Sequence, residues 1–240
     1  MKKVIIDSNG LSIHGTLALP SSSAKPFPGV ITFHGMTSSE NGYLPLIARL
    51  AKAGIAGLAI NMRGHGKNAG DFNKVTVSEA IADGLAAYDF LAARDEVDSN
   101  RIGLIGASVG AILAALTSSQ RPVKSLLLRA PAAYTKDMMQ LSMAETMTKE
   151  KTWFHEIENL EDTPAGHAIT AFGGSLLVIA SENDTIIPLS VSGGYIDIAK
   201  RTDNKRFTTI KEAGHALTES RWKESFHQAV MEWFTTTLKT

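Results

Sequence analysis

Short apolar runs alternate along the chain with longer amphipathic stretches. Regular alternation of strands and helices implies right-handed crossovers and a largely parallel sheet that is covered by helices on both faces. Two opening segments, Lys3–Asp7 and Leu11–Leu19, predict instead a hairpin on one edge of that sheet, with its turn at Ser8-Asn9-Gly10. The runs that predict the other strands are Val30–Phe33, Ala56–Ile60, Ile102–Ile105, Leu126–Leu128, Leu176–Ala180 and Phe207–Ile210. Apolar residues at helical spacing predict helices around Tyr43, Leu46, Ile47 and Leu50, around Ile81, Leu85, Tyr88 and Leu91, and around Trp222, Phe226, Val230 and Trp233.

Residues 132–174 interrupt the alternation of strands and helices, because this segment is far longer than an ordinary connection between two strands. The segment is too short to form a core of its own, so a single domain over residues 1–240 is expected, with this segment as a cap or lid. It holds half of the methionines of the chain, and flexible Met side chains suit a surface that accommodates varied apolar groups. The alternative is a helical hairpin that packs on the sheet edge. The methionines are Met138, Met139, Met143 and Met147.

Composition narrows the class of protein. The 24 basic and 24 acidic residues balance, and this argues against nucleic acid or an anionic membrane as the main partner. The chain has no Cys, which excludes disulfides, thiolate metal sites and a Cys nucleophile. No segment approaches the length of a membrane span or of a signal-peptide core, so a cytoplasmic protein is expected.

The pattern Gly106-Ala107-Ser108-Val109-Gly110 directly follows the apolar run Ile102–Ile105. A Gly-x-Ser-x-Gly sequence between a strand and a helix is typical of a nucleophile elbow, a sharp turn that exposes a serine hydroxyl. Ser108 would need a strained backbone there, and side chains at 106 and 110 would crowd the turn. Five residues are a weak pattern alone, but the apolar helical spacing from Val109 onward strengthens it.

A serine nucleophile needs a base and an acid that orients the base. His215 is the candidate base, since Gly214-His215 lies in a loop after the strand Phe207–Ile210. Asp184 is the candidate acid, because it follows the strand Leu176–Ala180 and should emerge at the carboxyl edge of the sheet. Glu182 is its rival, but it lies closer to the end of that strand.

An oxyanion hole needs two backbone N–H groups aimed at the developing charge. The amide of Val109 follows from the elbow. The amide of Met36 is the second candidate, in the loop His34-Gly35-Met36-Thr37 after the strand Val30–Phe33. Gly35 lets that backbone approach closely, and His34 is expected to brace the loop.

The loop Asn61–Asn68 contains Arg63-Gly64-His65-Gly66 and is interpreted as structural, with Arg63 expected to bind neighbouring carbonyl groups. It carries neither the Lys-Ser/Thr ending of a phosphate loop nor the dinucleotide glycine pattern. No close grouping of His and carboxylate residues indicates a metal site, so neither a metal nor an organic cofactor is expected.

Together these residues resemble the α/β-hydrolase superfamily over nearly the whole chain. The motifs occur in the order of that family, and the resemblance implies an α/β fold with a mostly parallel eight-stranded sheet and a small helical cap after the sixth strand. Within the superfamily the chain is most similar to small bacterial serine esterases of the cinnamoyl and feruloyl esterase type. It departs from them at Ala107, Val109, Asn61 and Asn68. The matching motifs are His34-Gly35, Arg63-Gly64-His65-Gly66, Gly106-x-Ser108-x-Gly110, Asp184-x-x-Ile187-Pro188 and Gly214-His215.

The resemblance implies a serine esterase that cleaves a small-molecule ester through Ser108, His215 and Asp184, with an acyl-enzyme intermediate. Candidate substrate-binding residues are Gly35, Met139, Met143 and Trp153. An acyltransferase or thioesterase would use the same residues; a peptidase and a non-catalytic binding protein are further alternatives. A homodimer stays open, because an apolar helix face can lie in the core or at an interface.

Overall fold

The computed structural model describes residues 1–22, 25–68, 70–153, 157 and 159–239. Its centre is an eight-stranded sheet with the order β1-β2-β4-β3-β5-β6-β7-β8. β2 runs antiparallel to β1 and β4, and every other neighbouring pair is parallel. The prediction of a mostly parallel sheet with an antiparallel hairpin at one edge is therefore confirmed. The strands are β1 (Lys2–Ser8), β2 (Leu11–Ala18), β3 (Phe27–Phe33), β4 (Ala56–Ile60), β5 (Val97–Ala107), β6 (Ser125–Arg129), β7 (Ser175–Ser181) and β8 (Lys205–Ile210).

Seven α-helices are found in the described part of the chain, and they lie on both faces of the sheet. The apolar side chains of the central strands alternate between two cores, since successive residues of a strand point to opposite faces. Val30 packs with α1 and α7, whereas Ile31 packs in the larger core with α2, α3, α5 and α6. The helices are α1 (Leu44–Lys52), α2 (Val77–Ala92), α3 (Val109–Ser118), α4 (Met143–Trp153), α5 (Pro164–Ala171), α6 (Leu189–Ile198) and α7 (Ser220–Thr237).

Local sequence explains where several elements begin and turn. The β1–β2 turn places Asn9 and Gly10 at φ 53° and 81°, the left-handed region that these residues tolerate best. Thr76 and Glu79 form a reciprocal capping box at the start of α2. The side chain of Thr163 accepts a hydrogen bond from the amide of Gly166 and caps α5, and Pro164 is the first residue of that helix.

In its described residues, the connection from β6 to β7 contains α4, α5 and two short 3-10 helices, Met138–Gln140 and Leu160–Asp162. α5 packs against α3 and α6 and so lies in the helical layer on that face of the sheet. Ahead of it, Met138, Met139 and Met143 are at most 4% exposed and belong to the larger core, whereas Met147 is 45% exposed. Three of the four methionines therefore pack inside the molecule here instead of lining an open surface.

Candidate active site

Ser108 lies at the turn between β5 and α3, and its backbone has φ 52°. This left-handed conformation is unusual for a residue with a side chain and stores strain at the turn. A Cβ on Gly106 would lie 2.5 Å from the Cα of Ala111, and one on Gly110 would overlap the carbonyl oxygens of Phe33 and His34. Both glycines are therefore required by close backbone approach, as the sequence predicted.

Three predicted residues from distant parts of the chain meet at the carboxyl edge of the sheet. His215 Nε2 lies 3.2 Å from Ser108 Oγ, and His215 Nδ1 lies 2.9 Å from Asp184 Oδ2. A carboxylate only accepts hydrogen bonds, so Nδ1 carries the proton and Nε2 is the acceptor that faces the serine hydroxyl. The arrangement can accept a proton from Ser108 while Asp184 holds the imidazole in this tautomer.

Asp184 is almost fully enclosed, with 2% of its side chain exposed. Burial would raise the pKa of its carboxyl, but the hydrogen bond and charge of His215 and the amides of Ile187 and Ile186 outweigh burial and lower the pKa below its usual value. The two amides donate to Oδ1 over 2.8 and 2.9 Å. Asp184 therefore remains an anion that is already oriented toward the imidazole.

Glu182, the rival acid, points elsewhere. Its carboxylate accepts the amide of Glu212 over 2.7 Å, and the amide of the next residue, Asn183, donates to Ala213 over 2.8 Å. Glu212 has φ 59°, an unusual conformation for a residue that is not glycine. The loop after β7 thus holds the loop that carries His215.

The loop after β3 reaches the serine. A Cβ on Gly35 would lie 3.4 Å from the Cβ of Ser108, so this backbone passes directly beside the nucleophile. In the described part of the chain, the amides of Met36 and Val109 donate to no other protein atom. They are thus available as donors to an oxyanion, but their catalytic role stays a prediction.

Two histidines, His34 and His65, hold the backbone of the loop after β3. His34 is fully buried; its Nδ1 contacts the carbonyl of Gly35 at 2.8 Å, and its Nε2 accepts the amide of Met62 at 3.1 Å. Burial, with a smaller contribution from His65, lowers the pKa of His34 to about 3. His65 Nε2 lies 2.6 Å from the carbonyl oxygen of Met36. These three contacts agree with the expected bracing role of His34 and with the structural interpretation of the loop Asn61–Asn68.

The expectation for Arg63 is corrected. Its side chain does not bind neighbouring carbonyl groups but pairs with the buried Asp83 of α2 at 2.7 Å and donates to Ser8 of β1. The buried carboxylate of Asp83 accepts several hydrogen bonds from this guanidinium, and such charge-assisted bonds are stronger than bonds to neutral carbonyl oxygens. Asn68 supplies the carbonyl contacts instead, to Asn61 and Met62.

Sequence reasoning missed Arg129, the last residue of β6, which is 7% exposed. Its guanidinium donates to the carbonyl oxygens of His215 and Gly214 and to Ser181 Oγ. Burial lowers the pKa of Arg129, while the charges of Tyr43 and Asp184 act in the opposite direction. The available signal was a charged residue directly after the apolar run Leu126–Leu128, at the edge where the site lies.

The candidate substrate-binding residues lie at different depths. Gly35 is beside Ser108, and Met139 and Met143 are buried in the core. The side chain of Trp153 lies outside the described residues. Within the described chain, no group of three or more His, Asp and Glu side chains could hold a metal ion. None of the described helices combines the length and apolarity needed to cross a membrane.

Solved structures share this architecture. Est1E from Butyrivibrio proteoclasticus with bound ferulic acid superposes with a TM-score of 0.77 at 20% identity, covering 99% of this chain and 100% of that one. An acetyl xylan esterase from Paenibacillus sp. R4 gives a TM-score of 0.74 at 19% identity, covering 98% and 83%. An uncharacterized protein of Mycobacterium tuberculosis is 28% identical over 213 residues, 88% of this chain and 71% of that protein. The sheet order and the serine turn define an α/β-hydrolase.

The family follows from the sequence match. A family model described as serine aminopeptidase, S33 matches residues 24–160, more than half of the chain, and the chain belongs to this family. It is therefore an α/β serine hydrolase by family, and the resemblance inferred from its motifs is confirmed.

Proposed function

We propose that the protein is a carboxylic ester hydrolase that uses Ser108, His215 and Asp184. The observation that carries this proposal is the continuous pair of hydrogen bonds from Ser108 through His215 to Asp184. Ester cleavage is supported by the names of two proteins of similar fold, an acetyl xylan esterase and Est1E, which was solved with ferulic acid.

The mechanism uses only groups of this chain. Ser108 Oγ attacks the ester carbonyl carbon while His215 Nε2 takes the hydroxyl proton, and the amides of Met36 and Val109 stabilise the oxyanion. The intermediate expels the alcohol, which receives the proton from His215, and an acyl-enzyme remains. Water then attacks the acyl carbon with His215 as base, the acid leaves and the serine hydroxyl is restored.

A fluorophosphonate probe with peptide mass spectrometry, together with a series of p-nitrophenyl esters, tests the proposal. We expect the adduct on Ser108 and turnover of at least one ester. Ser108→Ala should abolish both without a loss of thermal stability. Ser119→Ala, directly after the C-terminal end of α3, is the matched control. A folded Ser108→Ala protein with the wild-type rate would refute the assignment.

Amide cleavage is the second candidate, because the matching family is described as serine aminopeptidase. The same Ser108, His215 and Asp184 would act on an amide, and His215 would then protonate an amine leaving group. Aminoacyl p-nitroanilides measured beside the p-nitrophenyl esters distinguish the two. A higher kcat/KM on the anilides, lost in Ser108→Ala, would favour the peptidase.

A further inference from the structure

Arg129 lies between Ser108 and the loop that carries His215. Its backbone carbonyl accepts the amide of Ser108 over 3.0 Å, and its guanidinium donates to the backbone carbonyl of His215. β6 lies between β5 and β7, and Arg129 pairs in register with Ala107 on one side and with Ile179 on the other. One residue thus contacts the backbone of both the nucleophile and the base.

The guanidinium is buried without a carboxylate partner. Among the ion pairs of the described residues none includes Arg129, and its Nε has no described hydrogen-bond partner. A buried charge in this position is costly unless polar groups surround it. Oxygen atoms of the His215 loop and of Ser181 are the acceptors that it has. The loop therefore supplies hydrogen-bond acceptors to the buried guanidinium, and the guanidinium in turn binds the backbone of the loop.

Other contacts hold the parts of that loop before and after His215. On the later side, the amide of Thr218 donates to the carbonyl of Ala216 over 2.8 Å. Glu182 binds the amide of Glu212, and the amide of Asn183 binds the carbonyl of Ala213. The carbonyl groups of Gly214 and His215 themselves are held by Arg129. Removal of the guanidinium would consequently free the backbone at the base, while the start of the loop would keep its contacts.

From these contacts we propose that Arg129 is a positioning residue, which keeps the imidazole of His215 within reach of Ser108 Oγ through the backbone carbonyl of His215. The inference rests on the proposed function. The guanidinium of Arg129 contacts no reacting atom, so its loss should reduce the rate of the chemical step and leave substrate binding nearly unchanged. A displacement of about 1 Å at a catalytic group can cost roughly 100-fold in rate.

The test compares Arg129→Met, Arg129→Lys and the matched control Arg206→Met, whose arginine is exposed on β8 and pairs with Glu232. For Arg129→Met we expect kcat to fall roughly 10- to 100-fold with KM within about twofold of wild type. Arg129→Lys keeps the charge but lacks the planar guanidinium with its several N–H donors. Its kcat should therefore lie between those of wild type and Arg129→Met. The far-downfield proton resonance of His215 Nδ1–H should weaken in the same order, and Arg206→Met should match wild type.

The outcomes separate the two proposals. If wild type neither turns over esters and anilides nor reacts with the fluorophosphonate, the proposed function fails, and the Nδ1–H resonance still reports whether Arg129 positions His215. If wild type is active and folded Arg129→Met keeps both kcat and the resonance, the positioning role is overturned. If Arg129→Met does not fold, Arg129→Lys decides, because an unchanged kcat and resonance in that variant contradict the proposal.

Discussion

Acidification should destabilise the fold through His34, and replacement of this histidine should remove that effect. His34 is the fully buried first residue of the loop after β3 and is hydrogen-bonded at both ring nitrogens, to Gly35 and Met62. In this setting the imidazole is neutral, since burial lowers its pKa to about 3. In the unfolded chain the same group titrates near its ordinary value of 6.5.

The sign and size follow from these two values. Between pH 6.5 and about 3 the unfolded chain binds a proton that the folded state does not, so stability falls as the pH is lowered. Each pH unit in this window costs about 1.4 kcal/mol. Between pH 7.5 and pH 5 the contribution is about 2 kcal/mol, and it approaches about 5 kcal/mol near pH 3.

The measurement is the free energy of unfolding in urea as a function of pH for wild type and His34→Gln. The variant will differ in absolute stability, so the informative quantity is the change with pH. We expect wild type to lose about 2 kcal/mol more than His34→Gln between pH 7.5 and pH 5. His167→Gln, at an exposed histidine of α5, should follow wild type. Parallel curves for wild type and His34→Gln would refute the reasoning.

Three further substitutions test the site and its supports. Asp184→Asn should lower kcat roughly 10³–10⁴-fold in the ester assay, because the amide no longer holds the imidazole in the required tautomer. Gly110→Ala should cost about 1–3 kcal/mol in urea unfolding and also reduce kcat, since its Cβ would collide with the carbonyl of Phe33, which precedes the loop that passes beside Ser108. Asp83→Asn should cost about 3–5 kcal/mol, because Arg63 would stay buried without a counter-charge.

Each substitution has a matched control. Glu182→Gln lies beside Asp184 but should retain most of the activity, and an equal loss in both variants would contradict the assignment of the acid. Gly193→Ala adds a Cβ within helix α6 where no atom lies within 4 Å, so it should not destabilise. Asp89→Asn breaks the exposed pair with Arg121 and should cost less than about 1 kcal/mol. Similar losses for Asp83→Asn and Asp89→Asn would show that burial of the pair is unimportant.

The fold could be predicted because hydrophobic periodicity reports burial directly. β4 was predicted with its observed limits, since Ala56–Ile60 is apolar throughout and buried on both faces. β5 and β8 extend further than predicted, over Val97–Ala107 and Lys205–Ile210. Their added residues include polar and charged side chains, which an apolar pattern does not detect. In β8, backbone pairing with β7 includes Lys205 and Arg206 regardless of side-chain polarity, and in β5 the pairing of Val97 with Phe27 lies beyond an irregularity in register.

The residues of the candidate site could be predicted where the backbone itself demands a residue type. Gly106 and Gly110 are required by close approach, and Ser108 lies between them at a turn that few sequences tolerate. Asp184 and His215 followed from their places after β7 and β8, because parallel strands deliver their ends to one edge. Geometry brings these residues together, and their catalytic roles remain for the experiments above.

The contacts that hold the site could not be predicted, because the partner atoms belong to the backbone. Arg129 donates to the carbonyl of His215, and His65 contacts the carbonyl of Met36. Every residue carries a carbonyl oxygen, so such contacts leave no complementary pair of residue types along the sequence. The pair Arg63–Asp83 does have complementary charges, but 20 residues separate the partners and neither motif contains both. Only the folded sheet, which brings the ends of its strands to one edge, shows which carbonyl each side chain reaches.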